Sequence, residues 1–232
     1  MAPDVGGDDG VDAGVDGGVD GDDPAVDELV AVMRLLRARC AWKREQTHRS
    51  RVRYLLEEAY ETVDAIDAGE TTEDWAHLAE ELGDLLLQVV FHAAIAEERG
   101  EFDLDVVARG ITAKLRRRNP HVFGPAAGGE ELDAEAVNDL WQQAKAAERD
   151  AQPDRGDARI EDGIPSALPA LLYADKVLDR LERAGRPVIP EPGSPDLGER
   201  LLALVGEARA AGVDPEQALR DVVRQRLAEP RG

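Results

Sequence analysis

The sequence predicts an all-α fold. No stretch alternates apolar and polar residues as a half-buried strand does, whereas segment after segment repeats its apolar residues every three or four positions. The clearest segment runs from His77 to Ala96. Leu78, Leu82, Leu85, Leu86, Val89, Val90 and Ala93 form one face of it, and Leu87, Phe91 and Ile95 cover the opposite side. A helix apolar almost all round belongs inside a bundle or at a subunit interface. With 43% hydrophobic residues but only 4% aromatic, the core is one of Ala, Leu and Val.

Taken in order, residues 1–24 repeat Gly, Val and Asp in a loose four-residue rhythm, with too few apolar side chains to offset the entropy of ordering; they read as a disordered acidic tail. A first amphipathic helix spans Asp27 to Arg39 through Leu29, Val30, Met33, Leu35 and Leu36. Cys40 to Thr47 is polar and irregular, a loop carrying Trp42. The second helix starts at Ser50 as N-cap and runs to Ala68, where Gly69 stops it; its apolar face is Val52, Leu55, Leu56, Ala59, Val63 and Ile66. Thr71 or Thr72, followed by Glu73 and Asp74, marks the start of the apolar third helix, which ends near Gly100. A fourth covers 105–118 and stops at Asn119-Pro120. Residues 124–129 form a loop, and 132–149 a polar helix with Trp141 and Lys145. Further helices are expected at 168–184, 197–211 and 214–227, with a Pro/Gly stretch at 186–195.

This order divides the chain into a tail (1–24), a first helical domain (25–150), a linker (151–161) and a second helical repeat (162–232). The repeat shows in Asp196-Leu197-Gly198-Glu199-Arg200-Leu201-Leu202, which echoes Glu81-Leu82-Gly83-Asp84-Leu85-Leu86-Leu87 with its acids interchanged. It has no counterpart to the acidic run at 57–61.

Charge narrows the function. The net charge of −21, from 49 acids against 28 bases, argues against nucleic acid as a partner, because a phosphate backbone wants a basic footprint. One cysteine, Cys40, rules out an internal disulfide and fits a reducing compartment. The first residues lack the basic and apolar regions of a secretion signal, and no apolar run reaches the ~18 residues that would span a bilayer. The expectation is a cytoplasmic protein with no membrane partner.

Chemistry is suggested by paired acids. Glu58 and Glu61, three residues apart, share one side of the second helix; Glu57 lies beside them. Glu81 and Asp84 repeat the spacing on the third, at the head of a polar stripe continued by Gln88 and His92. A short connection packs such helices antiparallel and can bring the pairs together. Carboxylates in an apolar setting repel unless a cation compensates, and an all-oxygen donor set favours Mg²⁺ or Mn²⁺. Lys114 and Arg118 lie at i and i+4, with Arg116 and Arg117 beside them. In an acidic protein such a cluster suggests phosphate, although C-terminal helix charges are equally favoured by the macrodipole.

Together these residues resemble the MazG nucleoside triphosphate pyrophosphohydrolases. The likeness rests on Glu57-Glu58-x-x-Glu61 followed by Glu81-x-x-Asp84, on Cys40-Ala41-Trp42-Lys43-x-x-Gln46-Thr47 before them and on Lys114-Leu115-x-Arg117-Arg118-x-Pro120-His121-Val122-Phe123 after them. Trp141-x-x-x-Lys145 and Ile164-Pro165-x-x-Leu168-Pro169-Ala170-Leu171 complete the order, over about residues 27–180. The chain departs from the family pattern in Cys-Ala-Trp-Lys where Cys-Pro-Trp-Asp is usual, and in Asn119 where His is usual. The resemblance implies a helical bundle of the all-α NTP pyrophosphatase type completed by dimerisation. It also implies Mg²⁺-dependent cleavage of nucleoside triphosphates to monophosphate and pyrophosphate, in a house-cleaning role. It assigns Glu58, Glu61, Glu81 and Asp84 as metal ligands and Glu57 as an accessory carboxylate. Trp42, Lys114, Arg117, Arg118, Trp141 and Lys145 become nucleotide-binding residues. Two other readings of the same chain are a di-iron or di-manganese bundle, for which Glu45-x-x-His48 and Asp74-x-x-His77 have the spacing, and a non-catalytic helical interaction module.

Overall fold

Every regular element is a helix in the computed structural model, which describes residues 24–124, 132–150 and 159–228. The chain divides into two units, one up to Ala146 and one from Ala147. The first unit begins with α1 (Pro24–Arg39) and the one-turn α2 (Ala41–Glu45). Two long helices follow, α3 (His48–Thr72) and α4 (Ala76–Glu97), then α5 (Leu104–Arg118), the short α6 (Pro120–Phe123) and α7 (Ala134–Asp150), within which the division falls.

Thr47 sets the start of α3. Its hydroxyl accepts from the backbone N–H of Ser50 while the Ser50 hydroxyl accepts from that of Thr47, a reciprocal capping box. Ser50 therefore lies inside the first turn and is not the cap expected from sequence. At the other end α3 runs through Gly69 to Thr72 and closes on Glu73, the one described non-glycine residue with positive φ (59°). Gly69 does not stop the helix; it makes room. The Trp75 indole lies against it, and a Cβ there would come 2.6 Å from two ring carbons. Thr71 and Thr72 accordingly belong to the last turn of α3, not to the start of α4, and their hydroxyls donate to the carbonyls of Asp67 and Ala68. The segment after Cys40, expected as a loop, is the helical turn α2. It is tied down by Arg37, whose guanidinium donates to the carbonyls of Lys43 and Gln46.

With only three residues between them, α3 and α4 form an antiparallel hairpin, the most extensive helix pairing in this unit. Its buried line is not the face that apolar periodicity picks on α3. Arg51, Thr62, Ala65 and Gly69 are buried, whereas Val52, Leu55, Leu56 and Ile66 remain exposed. On α4 the C-terminal half supplies the core: Val90, Phe91, Ala94 and Ile95 pack around Met33 of α1, flanked by Leu29, Val30, Leu87 and Leu104. Two ion pairs lock α1 across the end of α4. Arg34 bonds both carboxylate oxygens of Glu97 (2.9 and 2.7 Å), and the buried Arg37 bonds both of Glu98 (2.7 and 2.5 Å). Asp103 caps α5, accepting from Val106 N–H, and Arg116–Arg118 fill its last turn.

The second unit packs α8 (Ala170–Arg183), α9 (Leu197–Ala210) and α10 (Pro215–Ala228) against one another, burying Leu178 and Val205. Arg209 of α9 bridges to Asp175, Asp179 and Glu182 of α8. In the echo of the acidic motif, Asp196 is the N-cap of α9 and accepts from the Glu199 N–H. That pair of acids serves a helix end. The expected tail falls on 1–23 apart from Pro24, which is already the first residue of α1, and most of the expected loop at 124–129 and linker at 151–161 falls on 125–131 and 151–158, outside the described residues.

Candidate active site

Residues 57–61 fall in the middle of α3, and residues 81–84 in the second turn of α4. The antiparallel hairpin sets these levels side by side. One oxygen each from Glu58, Glu61 and Glu81 lies within 4.8 Å of the others. Two oxygens facing each other across one ion are about 4 Å apart for Mg²⁺ and about 5 Å apart for Ca²⁺. The three carboxylates therefore fit around a single divalent cation with small side-chain rotations. All donors are oxygens, which suits a hard ion.

The electrostatics agree with such a group. Burial, and after it the negative charge of Asp84, holds the Glu58 carboxyl above the usual carboxylate range; a hydrogen bond with Glu61 and the charges of Glu61 and Glu81 push the same way. Asp84 thus acts on Glu58 by charge from one turn beyond Glu81, half-buried. Glu57 is placed differently: it is exposed and pairs with Arg53, four residues earlier (3.1 Å). His77 sits beside Glu80 and Glu81, its Nδ1 3.4 Å from a Glu81 oxygen.

Two residues not singled out as site candidates reach the acidic group. Gln88 Nε2 donates to Glu58 Oε1 at 3.2 Å, and Gln88 Oε1 accepts from Arg51 Nη2 at 2.6 Å. Gln88 is visible in the sequence as the next member of the polar stripe on α4. Arg51 has no such signal, since it stands between Arg49 and Arg53 in a basic run that reads as solvated.

Around Arg51 lies an aromatic and cationic patch. Its guanidinium carbon is 4.3 Å from the Tyr54 ring centre, 4.6 Å from Phe91 and 6.0 Å from Trp42. Trp42, half exposed on α2, meets Tyr54 edge-on at 6.5 Å and has Lys43 Nζ 5.5 Å over its ring. A second aromatic position joins α5 and α7: Arg118 and Lys145 each bring their charge to 5.1 Å from the Trp141 ring centre. Arg118 is buried, while Lys114 and Arg117 are exposed on α5. The histidines of the di-metal reading do not join the carboxylates of Glu45 and Asp74 in a cluster among the described residues; His48 faces His92 instead. No described helix is long and apolar enough to cross a membrane.

Comparison with known proteins agrees with the motif order. Residues 46–123 match the family model described as MazG nucleotide pyrophosphohydrolase domain. The chain is 36% identical over 219 residues to the nucleoside triphosphate pyrophosphohydrolase/pyrophosphatase MazG of Thermotoga maritima, covering 86% of this chain and 81% of that one. It is 38% identical over 198 residues to a nucleoside triphosphate pyrophosphohydrolase of Escherichia coli K12, covering 82% and 70%. An uncharacterized 26.1 kDa protein of Streptomyces cacaoi shares 43% over 195 residues, covering 83% and 76%.

Proposed function

The chain belongs to the MazG nucleotide pyrophosphohydrolase family, and from that premise we propose that it hydrolyses nucleoside triphosphates to nucleoside monophosphate and pyrophosphate, using Mg²⁺, for which Mn²⁺ can substitute. The observation that supports this most is the convergence of Glu58, Glu61 and Glu81 across the α3–α4 hairpin, with the charge of Asp84 acting on the same group.

A bound divalent cation supplies charge neutralisation of the phosphate oxygens and a more acidic attacking water. Glu58, Glu61 and Glu81, with Asp84 as the fourth carboxylate, would hold that ion beside the substrate. Lys114, Arg117 and Arg118 bind the phosphate chain, for which guanidinium and ammonium groups are suited as donors without acceptors. Trp42 and Trp141, each beside cationic side chains, offer faces on which a nucleobase can stack. Glu57 is the accessory carboxylate, one residue from Glu58, available to orient the water.

The products follow from how the phosphates are held. Removal of a γ-phosphate normally relies on a Gly-rich loop of the form Gly-x-x-x-x-Gly-Lys-Ser/Thr, and this sequence has none. A carboxylate-held ion with basic residues on the distal phosphates leaves pyrophosphate as the leaving group. The role is house-cleaning of non-standard or excess nucleotides in the cytoplasm. The working form is a homodimer, a reading supported by the apolar side chains that α3 and α4 leave exposed.

A nucleotide panel scored separately for pyrophosphate and orthophosphate, with and without Mg²⁺, tests the proposal. Pyrophosphate and monophosphate in equal amounts are expected. Accumulation of nucleoside diphosphate with orthophosphate would overturn it.

A further inference from the structure

We propose that Gln88 and Arg51 are positioning residues for Glu58, and that the chain Arg51–Gln88–Glu58 sets how tightly the carboxylate group holds a divalent cation. The inference rests on reading that group as the metal site.

Gln88 is only 1% exposed, among the largest fully buried side chains, on a helix whose neighbouring positions are apolar. A buried primary amide is costly unless its donors and its acceptor are met. Both named partners demand the same orientation of it. Arg51 can only donate, so it requires the amide oxygen, which it meets at 2.6 Å. The Glu58 carboxylate can only accept when ionised, so it requires the amide nitrogen, 3.2 Å away. With both ends specified the amide has one orientation, and the plane of the Glu58 carboxylate is tied to α4, the helix that also carries Glu81.

Arg51 is held just as firmly. It is 5% exposed, lies against Tyr54 and Phe91, and its Nε has no hydrogen-bond partner. A buried guanidinium that leaves one donor unmet has been desolvated for something other than its own hydrogen bonding. What it contributes is a stop against which the Gln88 amide oxygen rests. Groups of this kind, which orient a ligand without touching the ion, commonly change metal affinity by about 10–100-fold when removed.

A plain packing role for Gln88 makes a different forecast, namely lower stability with unchanged affinity in the folded fraction. The test is Mn²⁺ binding to the full-length, nucleotide-free protein, read from the electron paramagnetic resonance signal of unbound Mn²⁺. Gln88→Met keeps the length of the side chain and removes both hydrogen bonds; Arg51→Met removes the charge and keeps the stem. Each is expected to weaken Mn²⁺ binding about tenfold. The double variant should be little weaker than either alone, since one chain is broken in each case. A folded Gln88→Met protein binding Mn²⁺ within about twofold of wild type overturns the positioning role and leaves the metal site standing. Should Gln88→Met fail to fold, unchanged affinity in Arg51→Met overturns it equally. Wild type that binds no Mn²⁺ removes the metal-site reading itself, and the inference with it.

Discussion

The Nδ1 atoms of His48 on α3 and His92 on α4 lie 2.8 Å apart, with the two rings stacked 9° from parallel. One nitrogen must donate and the other accept, so only one proton fits between them. Burial, and then the charges of His48 and Arg51, hold the His92 imidazole below its usual range. An unfolded His92 takes up its proton at higher pH than the folded one. The contribution of His92 to stability is therefore complete above the ordinary value of 6.5 and is lost as pH falls through the folded value. Thermal midpoints should fall on acidification from neutral pH, and His92→Asn should flatten that slope. An unaltered slope in the variant would remove His92 as its source.

Glu58 titrates with the opposite sign. Its folded carboxyl is raised, so in metal-free protein the contribution of its proton is fully present below 4.5 and is lost as pH rises through the folded value. A divalent cation competes with that proton and relieves the repulsion left after it departs. Added Mg²⁺ should therefore raise the melting temperature, by an increment that grows with pH. Glu61→Gln or Glu81→Gln should abolish the increment. A melting temperature indifferent to Mg²⁺ at every pH would count against the carboxylate site.

Turnover gives a separate measurement of the same residues. Glu61→Ala and Asp84→Ala are each expected to lose at least about two orders of magnitude, as for removal of a group that stabilises transition-state charge. Far-UV circular dichroism should hardly change, because removing one like charge offsets the lost contacts. Near-normal turnover in either variant would remove that residue from the site.

What the sequence makes legible here is what depends on near neighbours. The i, i+3 spacing of Glu58 with Glu61 is local, and the short connection after Thr72 is enough to bring Glu81 alongside. The helical class follows from periodicity alone. What stays hidden depends on partners far along the chain. Arg51 is buried by Gln88 and Phe91, which lie 37 and 40 residues on. Gly69 resembles a helix stop until the Trp75 ring is seen to occupy the space of its missing Cβ. Thr47 and Ser50 are both plausible caps, and only the reciprocal hydrogen bonds decide between them. The apolar face that periodicity draws on α3 stays exposed, because Arg51, Thr62, Ala65 and Gly69 form the buried line instead.

Gly69 offers a direct check on packing at the hairpin's closed end. Alanine in a helix interior is favoured over glycine by about 1 kcal/mol. Here the new methyl would meet Trp75 ring carbons at 2.6 Å, forcing the indole off α3. Overpacking of this kind costs about 1–3 kcal/mol, so Gly69→Ala should destabilise on balance. In a Trp75→Ala background the same substitution should become neutral or stabilising. A double-mutant cycle by denaturant unfolding reads the coupling; additivity of the two changes would show that the contact does not constrain α3.

The exposed apolar residues of the hairpin lead to the last prediction. Val52, Leu55, Leu56 and Ile66 on α3, and Leu82, Leu86 and Val89 on α4, remain accessible in one chain. Apolar exposure on this scale, along two adjacent helices, marks an interaction surface. It also borders the acids, since Leu55 and Leu56 directly precede Glu57 and Glu58, and Leu82 follows Glu81. A second copy packing on this face would bury it and wall the carboxylates from solvent on that side. Light scattering should then give about twice the 25.1 kDa chain mass, and the melting temperature should rise with protein concentration, as mass action requires. Leu56→Asp or Leu86→Asp should yield monomers that melt lower and respond less to Mg²⁺. If wild type is monomeric at all concentrations, charged substitutions on an uncovered face should instead leave stability unchanged, because no interface is lost. The two outcomes differ at every step, so mass and melting point together decide whether one chain or two build the site.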